Sequence, residues 1–319
     1  MVDQSVPASF ERISAVPACW KCRPHVDPAA TMKAPKFRYV RPSSIDDAYR
    51  LLARHGAEAL VLAGGQSLLA GLNMRLSTPE LLIDIAELTA LDGIARDGDE
   101  IVIGALTRHT TVLNSPVIRQ HVPLIADAIK HVGHVAIRNR GTFGGSLAQA
   151  DPAAELPACA VALGATVVLG SRDGQRRVPA EDFFTGLMQT DLRPGELILE
   201  ARIPAQPADR RHGFAELSRR HGDFAMAGIA ALATLDGARI AEARLVYFGC
   251  TDRAGVARRI SAALVNQVLP LASTDALIDL LRQDLVPADD PSMRADTKLR
   301  LAAALTRRTL NAFQEGPDR

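Results

Sequence analysis

The sequence has no long uninterrupted apolar run and no surplus of charge of either sign. Residues 156–169 form one of the longest apolar stretches, but Pro157 and small residues interrupt it. The stretch is shorter than the roughly 20 apolar residues that a membrane-spanning helix needs. Net charge is +1, from 37 Lys and Arg against 36 Asp and Glu, so no overall field attracts a polyanion. We therefore expect a protein with no membrane span and no nucleic-acid partner.

Cysteine is also scarce, with four in 319 residues, and no apolar secretory segment opens the chain. A disulfide framework is therefore not expected, and a reducing, cytoplasmic location is predicted. Residues 1–31 are polar and proline-dotted without a sustained period, which predicts a disordered N-terminal extension. Within it, Cys19 and Cys22 form a Cys-x-x-Cys pair. A redox or metal role and an unstructured tail remain open for this pair, because no strand and helix pattern surrounds it.

Several common catalytic and nucleotide-binding motifs are missing. No Gly-x-Gly-x-x-Gly opens a helix after a strand, and no Gly-x-x-x-x-Gly-Lys-Ser/Thr occurs. Ser67 is followed by Leu68 and Leu69, so it is not the serine of a Gly-x-Ser-x-Gly elbow. The histidines and acids lack metal-binding spacings such as His-Glu-x-x-His. A Rossmann site, a nucleoside-triphosphate loop, a serine hydrolase and a metal centre are therefore not supported.

From residue 32 onward, patterning predicts an α+β protein of two domains. The proline-containing polar stretch 204–209 follows a strand and marks the boundary, which gives domains 32–207 and 208–319. Predicted strands span 37–42, 59–62, 81–85, 94–96, 100–103, 165–169, 175–178, 197–203, 213–218, 225–235 and 240–248. Predicted helices span 43–55, 110–113, 124–132, 156–163, 253–264, 274–281 and 292–313. The second domain is predicted to have one sheet with helices on one side.

Two glycine-rich segments carry the functional prediction. The first places Gly64 and Gly65 after the apolar strand 59–62 and before Ser67. The second places Gly141, Gly144 and Gly145 close together, after two arginines. Glycine has no Cβ and tolerates positive φ, so loops of this kind bring backbone N–H groups against an anion. We interpret the two segments as two halves of a cradle for a pyrophosphate, although either glycine pair alone is also explained by a tight turn.

The motifs Ala-Gly-Gly-Gln-Ser-Leu (63–68), Arg-Asn-Arg-Gly-Thr-x-Gly-Gly-Ser (138–146) and Ala-Asp-Pro-Ala-Ala-Glu-Leu-Pro (150–157) resemble those of a known family. They are similar to the FAD-binding medium subunit of the molybdenum hydroxylases, which include carbon monoxide dehydrogenase and xanthine dehydrogenase. The resemblance covers about residues 32–313. It implies a two-part FAD-binding domain of the vanillyl-alcohol oxidase (PCMH) type, followed by a smaller α+β domain.

The resemblance also implies which residues hold the cofactor. The two glycine segments would bind the FAD pyrophosphate, an acid would accept from the adenosine ribose, and an apolar side chain would lie near the flavin. The implied FAD-binding residues are Ala63, Gly64, Gly65, Gln66, Ser67, Leu68, Thr142, Gly144, Gly145, Ser146, Asp151, Glu155 and Ile198. Ser146 replaces the asparagine usual in the family, and Ala215 replaces a lysine of the xanthine-oxidising branch.

The implied function is electron transfer through FAD, with no catalytic acid or base and no metal site on this chain. The resemblance implies a small subunit with two [2Fe–2S] clusters and a large subunit with molybdopterin, assembled as a dimer of heterotrimers. The chain lacks the cysteine run of a plant-type iron–sulfur domain, in agreement with that division. Two rival functions remain open. One is a self-sufficient FAD-dependent oxidase of the vanillyl-alcohol type, and the other is a scaffold that binds no FAD.

Residues outside the two glycine segments have less specific interpretations. Arg138 and Arg140 are explained equally by phosphate contacts and by surface or subunit contacts. The cluster from Arg219 to His221 is interpreted first as a solvated turn, with contact to the flavin or to a partner as the alternative. The histidines near the proposed site are expected to be packing or surface residues; they are His109, His121, His131 and His134. Cys159 and Cys250 lie in apolar segments and are expected to be buried thiols.

Overall fold

A computed structural model describes residues 33–291 and 293–314. The predicted extension, with Cys19 and Cys22, lies outside the described residues. The strands are β1 Arg38–Val40, β2 Ala59–Leu62, β3 Leu81–Asp84, β4 Ile94–Asp97, β5 Glu100–Gly104, β6 Thr166–Ser171, β7 Gly174–Pro179, β8 Phe184–Gly186, β9 Gln189–Thr190, β10 Leu197–Pro204, β11 Arg211–Leu217, β12 Ala227–Asp236, β13 Arg239–Phe248 and β14 Gly255–Val256.

The helices are distributed between and after these strands. They are α1 Ile45–His55, α2 Leu68–Asn73, α3 His109–Asn114, α4 Pro116–His121, α5 Pro123–Ile129, α6 Val135–Arg138, α7 Phe143–Gln149, α8 Glu155–Ala162, α9 Ala180–Phe183, α10 Arg258–Leu264, α11 Asp275–Asp284 and α12 Ala295–Ala312. Most α-helices before α10 are short, and only α1 and α8 among them reach eight residues.

A three-stranded parallel sheet forms the first part of the FAD-binding region, in the order β1-β3-β2. The central strand β3 is fully buried. Helix α1 begins where the Ser44 hydroxyl accepts a hydrogen bond from the Asp47 amide at 3.1 Å, and it ends at Gly56, where φ is 50°. Both ends carry residues typical of helix caps. Its buried face packs on the sheet and fixes the end of β2, from which the first glycine segment emerges.

An antiparallel five-stranded sheet forms the second part, in the order β4-β5-β10-β6-β7. Helices α3 to α8 connect β5 to β6, so the second glycine segment lies within a helical layer over this sheet. Ile101 and Ile103 of β5 point into the core, together with Phe143 and Leu147 of α7. This packing holds α7 against the edge of β5.

The C-terminal sheet, in the order β11-β12-β13-β14, has apolar residues on both faces. On one face, residues such as Ile229 and Leu245 pack with α10, α11 and α12. On the other face, Leu232 and Phe248 join the core of the FAD-binding region. The prediction of one sheet with its own helices on one side agrees with this arrangement, and the opposite face is covered by α5 and α8.

Several elements differ from the prediction. The segment 141–146 was expected to be a loop, but its second half is the first turn of α7. The helix predicted from residue 253 begins at Arg258, because Gly255 and Val256 first pair with Tyr247 and Val246 of β13. Helix α4 was not predicted. Its N-cap Ser115 accepts a hydrogen bond from the Ile118 amide at 3.4 Å, and Pro116 occupies its first turn.

Candidate functional site

The structure brings the two glycine segments into backbone contact. A Cβ on Gly64 would collide with the Arg140 carbonyl oxygen and would lie 2.9 Å from the Gly141 Cα. Only glycine permits this approach, because any side chain would separate the two backbones. The segments therefore form a single site although they belong to different parts of the domain.

The first segment presents a row of free amides. The backbone N–H groups of Gly64, Gly65, Gln66, Ser67 and Leu68 have no hydrogen-bond partner among the described residues. Gly65 has a left-handed backbone with φ of 74°, and the Gln66 side-chain amide donates to the Gly64 carbonyl at 3.1 Å. Backbone amides in such a turn form a concave anion-binding surface, and α2 begins directly after it. The sequence prediction of bare amides holds for this segment.

In the second segment, the prediction of bare amides is wrong. Phe143 and Gly144 donate to the carbonyls of Thr107 and Ala105, each at 2.9 Å. Gly145 donates to the Thr142 hydroxyl at 3.1 Å, because Thr142 is the N-cap of α7. The amides of Gly141 and Ser146 are also bonded within the chain, to Ile137 and Thr142. Of the amides from 141 to 146, that of Thr142 alone has no partner in the described part of the chain.

The glycines of this second segment are explained by close packing. A Cβ on Gly144 would lie 2.6 Å from the Ala105 Cβ, and one on Gly145 would lie 2.6 Å from the Thr142 hydroxyl oxygen. A Cβ on Gly141 would lie 2.8 Å from the ring of His109. The second segment is therefore a rigid wall built on β5 and α3. The first segment rests on this wall.

His109, expected from the sequence to be a packing or surface residue, lies at the centre of that wall. Its side chain is buried, and its Nε2 lies 3.0 Å from the Thr142 carbonyl oxygen and 3.1 Å from the Ser146 hydroxyl. A carbonyl only accepts, so Nε2 carries the proton and Nδ1 is left without a partner among the described residues. Burial lowers the pKa of His109 to about 4, and the charges of Arg138 and Arg108 add to this effect. The ring is therefore neutral at pH 7.

Arginines near the site divide into two groups. Arg138 donates from Nη1 to the Val132 and Gly133 carbonyls at 3.0 and 2.8 Å, and Arg108 donates to the Arg140 carbonyl. Arg108 thus holds the backbone at the start of the second segment, and Arg138 holds the loop before α6. Arg140 is exposed, and its side chain makes no ion pair with any residue that the structure describes. Of the two arginines considered from the sequence, Arg140 alone keeps a guanidinium free for a ligand or a partner subunit.

The two acids suggested for the ribose lie next to the C-terminal domain. Asp151 accepts a hydrogen bond from the Ala153 amide at 2.9 Å, which fixes the turn before α8. Glu155 is buried, and burial raises its pKa to about 7, with the Glu216 charge acting in the same direction. Glu216 of β11 pairs with His131 at 3.3 Å, and its second oxygen has no described partner. These acids therefore form a cluster at the contact between the two domains.

Ile198 lies away from solvent in β10, opposite Leu169 of β6, within the core of the second sheet. Ser67 is exposed at the start of α2, whereas Ala63 and Leu68 are partly buried beside it. The structure thus groups the residues from 63 to 68 with the backbone near Gly141, and it places Ile198 in the sheet core. Cys159 and Cys250 are buried free thiols, as expected.

The described residues contain no cluster of three or more His, Cys, Asp or Glu side chains able to hold a metal ion. None of the helices in these same residues combines the length and apolar character required to cross a bilayer. The features that stand out are the free amides of the first glycine segment and the glycine-dependent contact that supports them. A diphosphate group matches this donor set, because it offers several anionic acceptors to consecutive N–H donors.

Comparison with known proteins gives matches over both domains. Residues 35–206 match a family described as the FAD binding domain in molybdopterin dehydrogenase. Residues 212–313 match one described as the CO dehydrogenase flavoprotein C-terminal domain. The first match alone covers more than half of the chain.

Curated relatives and solved structures match along most of their length. The chain is 38% identical over 280 residues to the 6-hydroxypseudooxynicotine dehydrogenase complex subunit alpha of Paenarthrobacter nicotinovorans, covering 88% of this chain and 95% of that protein. It is 35% identical to the carbon monoxide dehydrogenase medium chain of Hydrogenophaga pseudoflava, covering 88% and 98%. The structure of quinoline 2-oxidoreductase from Pseudomonas putida 86 superposes with a TM-score of 0.84 at 35% identity, covering 89% and 99%.

Proposed function

Because the chain belongs to the FAD-binding medium subunits of the molybdenum hydroxylases, we propose that the free amides of Gly64 to Leu68 hold the pyrophosphate of its FAD. The function of the chain is electron transfer through bound FAD, from [2Fe–2S] clusters of a partner subunit to a terminal acceptor. It is thus an oxidoreductase subunit of a multi-subunit complex. The observation that carries the site proposal is the row of consecutive unpaired amides.

In this proposal the second segment positions the cradle. Gly144 and Gly145 allow α7 to pack on Ala105 and to be capped by Thr142, and Gly141 allows the ring of His109 to lie beneath it. The wall then supports Gly64 through their shared backbone contact. Thr142 contributes its free amide to the cofactor, and Ser146 acts through His109.

The other FAD contacts that the resemblance implies remain proposals, and the structure supports them to different degrees. Asp151 is our candidate for the ribose, since only one of its oxygens is used, in the bond from Ala153. Glu155 is buried and coupled to the domain contact, which favours a structural role. Ile198 would shape the flavin environment through the sheet that it stabilises, since its side chain lies in the core.

We assign residues 32–207 to the FAD-binding domain and 208–319 to the C-terminal domain. The segment between Pro204 of β10 and Arg211 of β11 has no helix or strand, which supports a boundary there. We further propose an iron–sulfur small subunit and a molybdopterin large subunit as partners, in a dimer of heterotrimers located in the cytoplasm. The buried free thiols Cys159 and Cys250 suit such a reducing location.

Substitution of Ser67 tests the cradle with little risk to the fold, because its side chain is exposed at the N-cap position of α2 and makes no capping bond. Ser67→Asp adds a negative charge beside the proposed pyrophosphate, while aspartate remains a good N-cap residue. We expect Ser67→Asp to weaken FAD binding on the order of tenfold or more, by charge repulsion. Ser67→Asn is the matched control, because asparagine has the size of aspartate but no charge. We expect this variant to bind FAD like the wild type.

The measurement is the visible absorption of the purified full chain during titration with FAD, together with the flavin released by acid. If the chain binds FAD only when partner subunits are co-expressed, the same pair of variants is compared in the complex. Equal flavin content and equal affinity in Ser67→Asp and Ser67→Asn would contradict the assignment of the pyrophosphate to this segment.

A further inference from the structure

A second candidate site lies between the two domains. A half-open cavity of about 460 Å³ is lined by the α4–α5 junction, the interdomain segment, β11 and the end of α12. None of the residues assigned to FAD lines it. Its volume is within the range of small-molecule sites, roughly 300–1,000 Å³. Residues from both domains surround it, so a ligand there would contact both.

The cavity combines apolar lining residues with three arginines. Leu124, Leu163, Leu232 and Phe313 supply aliphatic and aromatic surface. The charged lining residues are Arg210, Arg211 and Arg308, and His121 and His212 also line the cavity. No Asp or Glu among the described residues lines it, although Glu242 pairs with Arg210 and Asp127 with His212. A site with apolar lining residues and several guanidinium groups favours a ligand that combines an apolar body with a negative charge.

Two of these arginines are not committed to other groups. Arg210 donates to Glu242 at 3.3 Å. Arg211 and Arg308, in contrast, form no ion pair with any residue in the ranges 33–291 and 293–314. A guanidinium presents a planar set of donors that suits a carboxylate. Arg211 and Arg308 are therefore the groups available for an anionic ligand.

Unpaired buried polar atoms are a second, independent observation. Gln206 Oε1, Arg210 Nε and Thr309 Oγ1 are buried and have no hydrogen-bond partner among the described residues. All three side chains line this cavity. The Gln206 Nε2 donates to the Pro204 carbonyl at 2.7 Å, which identifies Oε1 as the free acceptor. Buried polar atoms are normally satisfied, and leaving them unpaired is unfavourable. Three such side chains around one cavity indicate a place where an outside molecule supplies the missing partners.

We propose that this cavity binds a small organic acid. Its ring or branched apolar body packs on Leu124, Leu163 and Phe313, and its carboxylate pairs with Arg211 and Arg308. A hydroxyl or amide group of the ligand pairs with the unsatisfied atoms after a small side-chain rotation. Since the cavity is lined by both domains, binding also strengthens the contact between them.

The test titrates the full chain with two probes of the same shape, the anionic 2-naphthoate and the neutral 2-naphthamide. Binding is measured by isothermal titration calorimetry, both with and without saturating FAD. We expect 2-naphthoate to bind with a dissociation constant of about 1 mM or tighter, and the amide to bind about tenfold more weakly. The double variant Arg211→Gln with Arg308→Gln is expected to reduce carboxylate affinity about tenfold. Arg307→Gln, an exposed neighbour on α12 outside the cavity lining, is the matched control.

Ala312→Trp provides a separate check, because Ala312 lines the cavity and its side chain is exposed. A tryptophan there fills the space without disturbing the core, and we expect it to abolish probe binding. Absence of any binding would overturn the proposal, and so would equal affinity of the acid and the amide. Loss of binding in the presence of FAD would place the probe in the cofactor site and would also overturn it. FAD binding itself is measured separately, so failure of one proposal leaves the other intact.

Discussion

Gly64 illustrates how a single missing Cβ holds the site together. Its Cα lies against the backbone of Arg140 and Gly141, where a methyl group has no space. Gly71, a few residues later in α2, has open space around the position of a Cβ. The two glycines therefore differ in their surroundings although they belong to the same short region. This difference allows a controlled comparison.

Gly64→Ala is expected to lower the free energy of unfolding by about 2 kcal/mol, because the overlap must be relieved by moving backbone. It should also weaken FAD binding, since the cradle shifts from its support. Gly71→Ala is expected to stabilise the chain by about 0.5–1 kcal/mol, through the lower entropy of its unfolded state. Urea unfolding and FAD titration of both variants check this. Similar behaviour of the two variants would contradict the packing argument.

His109 and Glu155 influence stability in opposite directions as pH changes. Burial lowers the pKa of His109 to about 4, so between about pH 4 and pH 6.5 the unfolded chain binds a proton that the folded chain does not. Its contribution to stability is thus lost as pH falls. Burial raises the pKa of Glu155 to about 7, so the folded chain keeps a proton that the unfolded chain releases. Its contribution is lost as pH rises from about 4.5 through 7.

Each of these two pKa shifts corresponds to about 3 kcal/mol of unfolding free energy. In the wild type their effects on the pH dependence of stability therefore nearly cancel between about pH 5 and pH 6.5. We expect His109→Gln to become less stable as pH rises from about 5 to about 7, because only the Glu155 effect remains. Glu155→Gln is expected to become more stable over the same interval. Urea unfolding of the apoprotein at several pH values measures both slopes. If both variants showed the same dependence of stability on pH as the wild type, the assigned roles of His109 and Glu155 would be wrong. The control is His134→Gln, a substitution at an exposed histidine.

At the scale of elements, α12 is anchored to β13 by a buried hydrogen bond. The Tyr247 hydroxyl lies 2.6 Å from the Thr306 hydroxyl, which also donates to the Ala302 carbonyl at 2.7 Å. Since Thr306 gives its proton to Ala302, Tyr247 is the donor in the pair. Removing the Tyr247 hydroxyl leaves Thr306 still bonded to Ala302, whereas removing the Thr306 hydroxyl leaves Tyr247 without an acceptor. The two deletions are not equivalent.

Tyr247→Phe leaves Thr306 bonded to Ala302, and we expect it to cost about 1 kcal/mol, the usual net value of one hydrogen bond. Thr306→Val leaves the tyrosine hydroxyl buried and unpaired, and we expect a loss of about 2–3 kcal/mol. Thr306→Ser keeps the hydroxyl and should lose much less. Chemical denaturation of the three variants measures the order. If Tyr247→Phe lost more free energy of unfolding than Thr306→Val, the assignment of Tyr247 as the donor would be wrong.

The elements that the sequence predicted best are those whose signals are local. Strands β12 and β13 flank the Asp236-Gly237 turn, which the sequence marks directly, and α1 carries its own caps, Ser44 and Gly56. Helix α7 was missed because Gly144 and Gly145 have low helix propensity, and its stability comes from the fixed contact with Ala105. The Phe143 and Gly144 amides donate to the carbonyls of Thr107 and Ala105, which follow β5 and lie far away in the sequence, so this pairing could not be predicted from it.

The same reasoning explains which part of the candidate site could be predicted. The free amides from Gly64 to Leu68 could be predicted because a glycine pair before a short helix exposes its amides, and their contact with the cofactor stays a proposal. The role of His109 depends on its burial under Gly141, which only the fold establishes. A signal was present nonetheless, in a histidine beginning a short helix after β5. Ile198 was interpreted from the resemblance, and its apolar character suits a core position equally well.

At the scale of the whole molecule, α8 is the helix through which the two domains pack against each other. All eight residues from Glu155 to Ala162 are buried, because α8 packs against α5, α7 and α9 of its own domain and against β12, β13 and β14 of the C-terminal domain. The Arg244 guanidinium adds a bond to the Val161 carbonyl at 2.9 Å, and the Gly249 amide donates to the Pro152 carbonyl at 2.8 Å. A helix that is apolar on all sides requires cover on all sides. The FAD-binding domain therefore lacks a complete surface of its own.

We accordingly expect the full chain to unfold in one cooperative transition in scanning calorimetry, with equal calorimetric and van't Hoff enthalpies. A fragment ending at residue 207 should aggregate or remain partly unfolded, because it exposes the outer face of α8 and that of α5 to water. A chain ending at Gln314, just after α12, is the matched truncation and should keep the single transition. A fragment 1–207 that folds with the thermal midpoint of the full chain would contradict this dependence. Such a result would mean that α8 is stable with half of its surface uncovered.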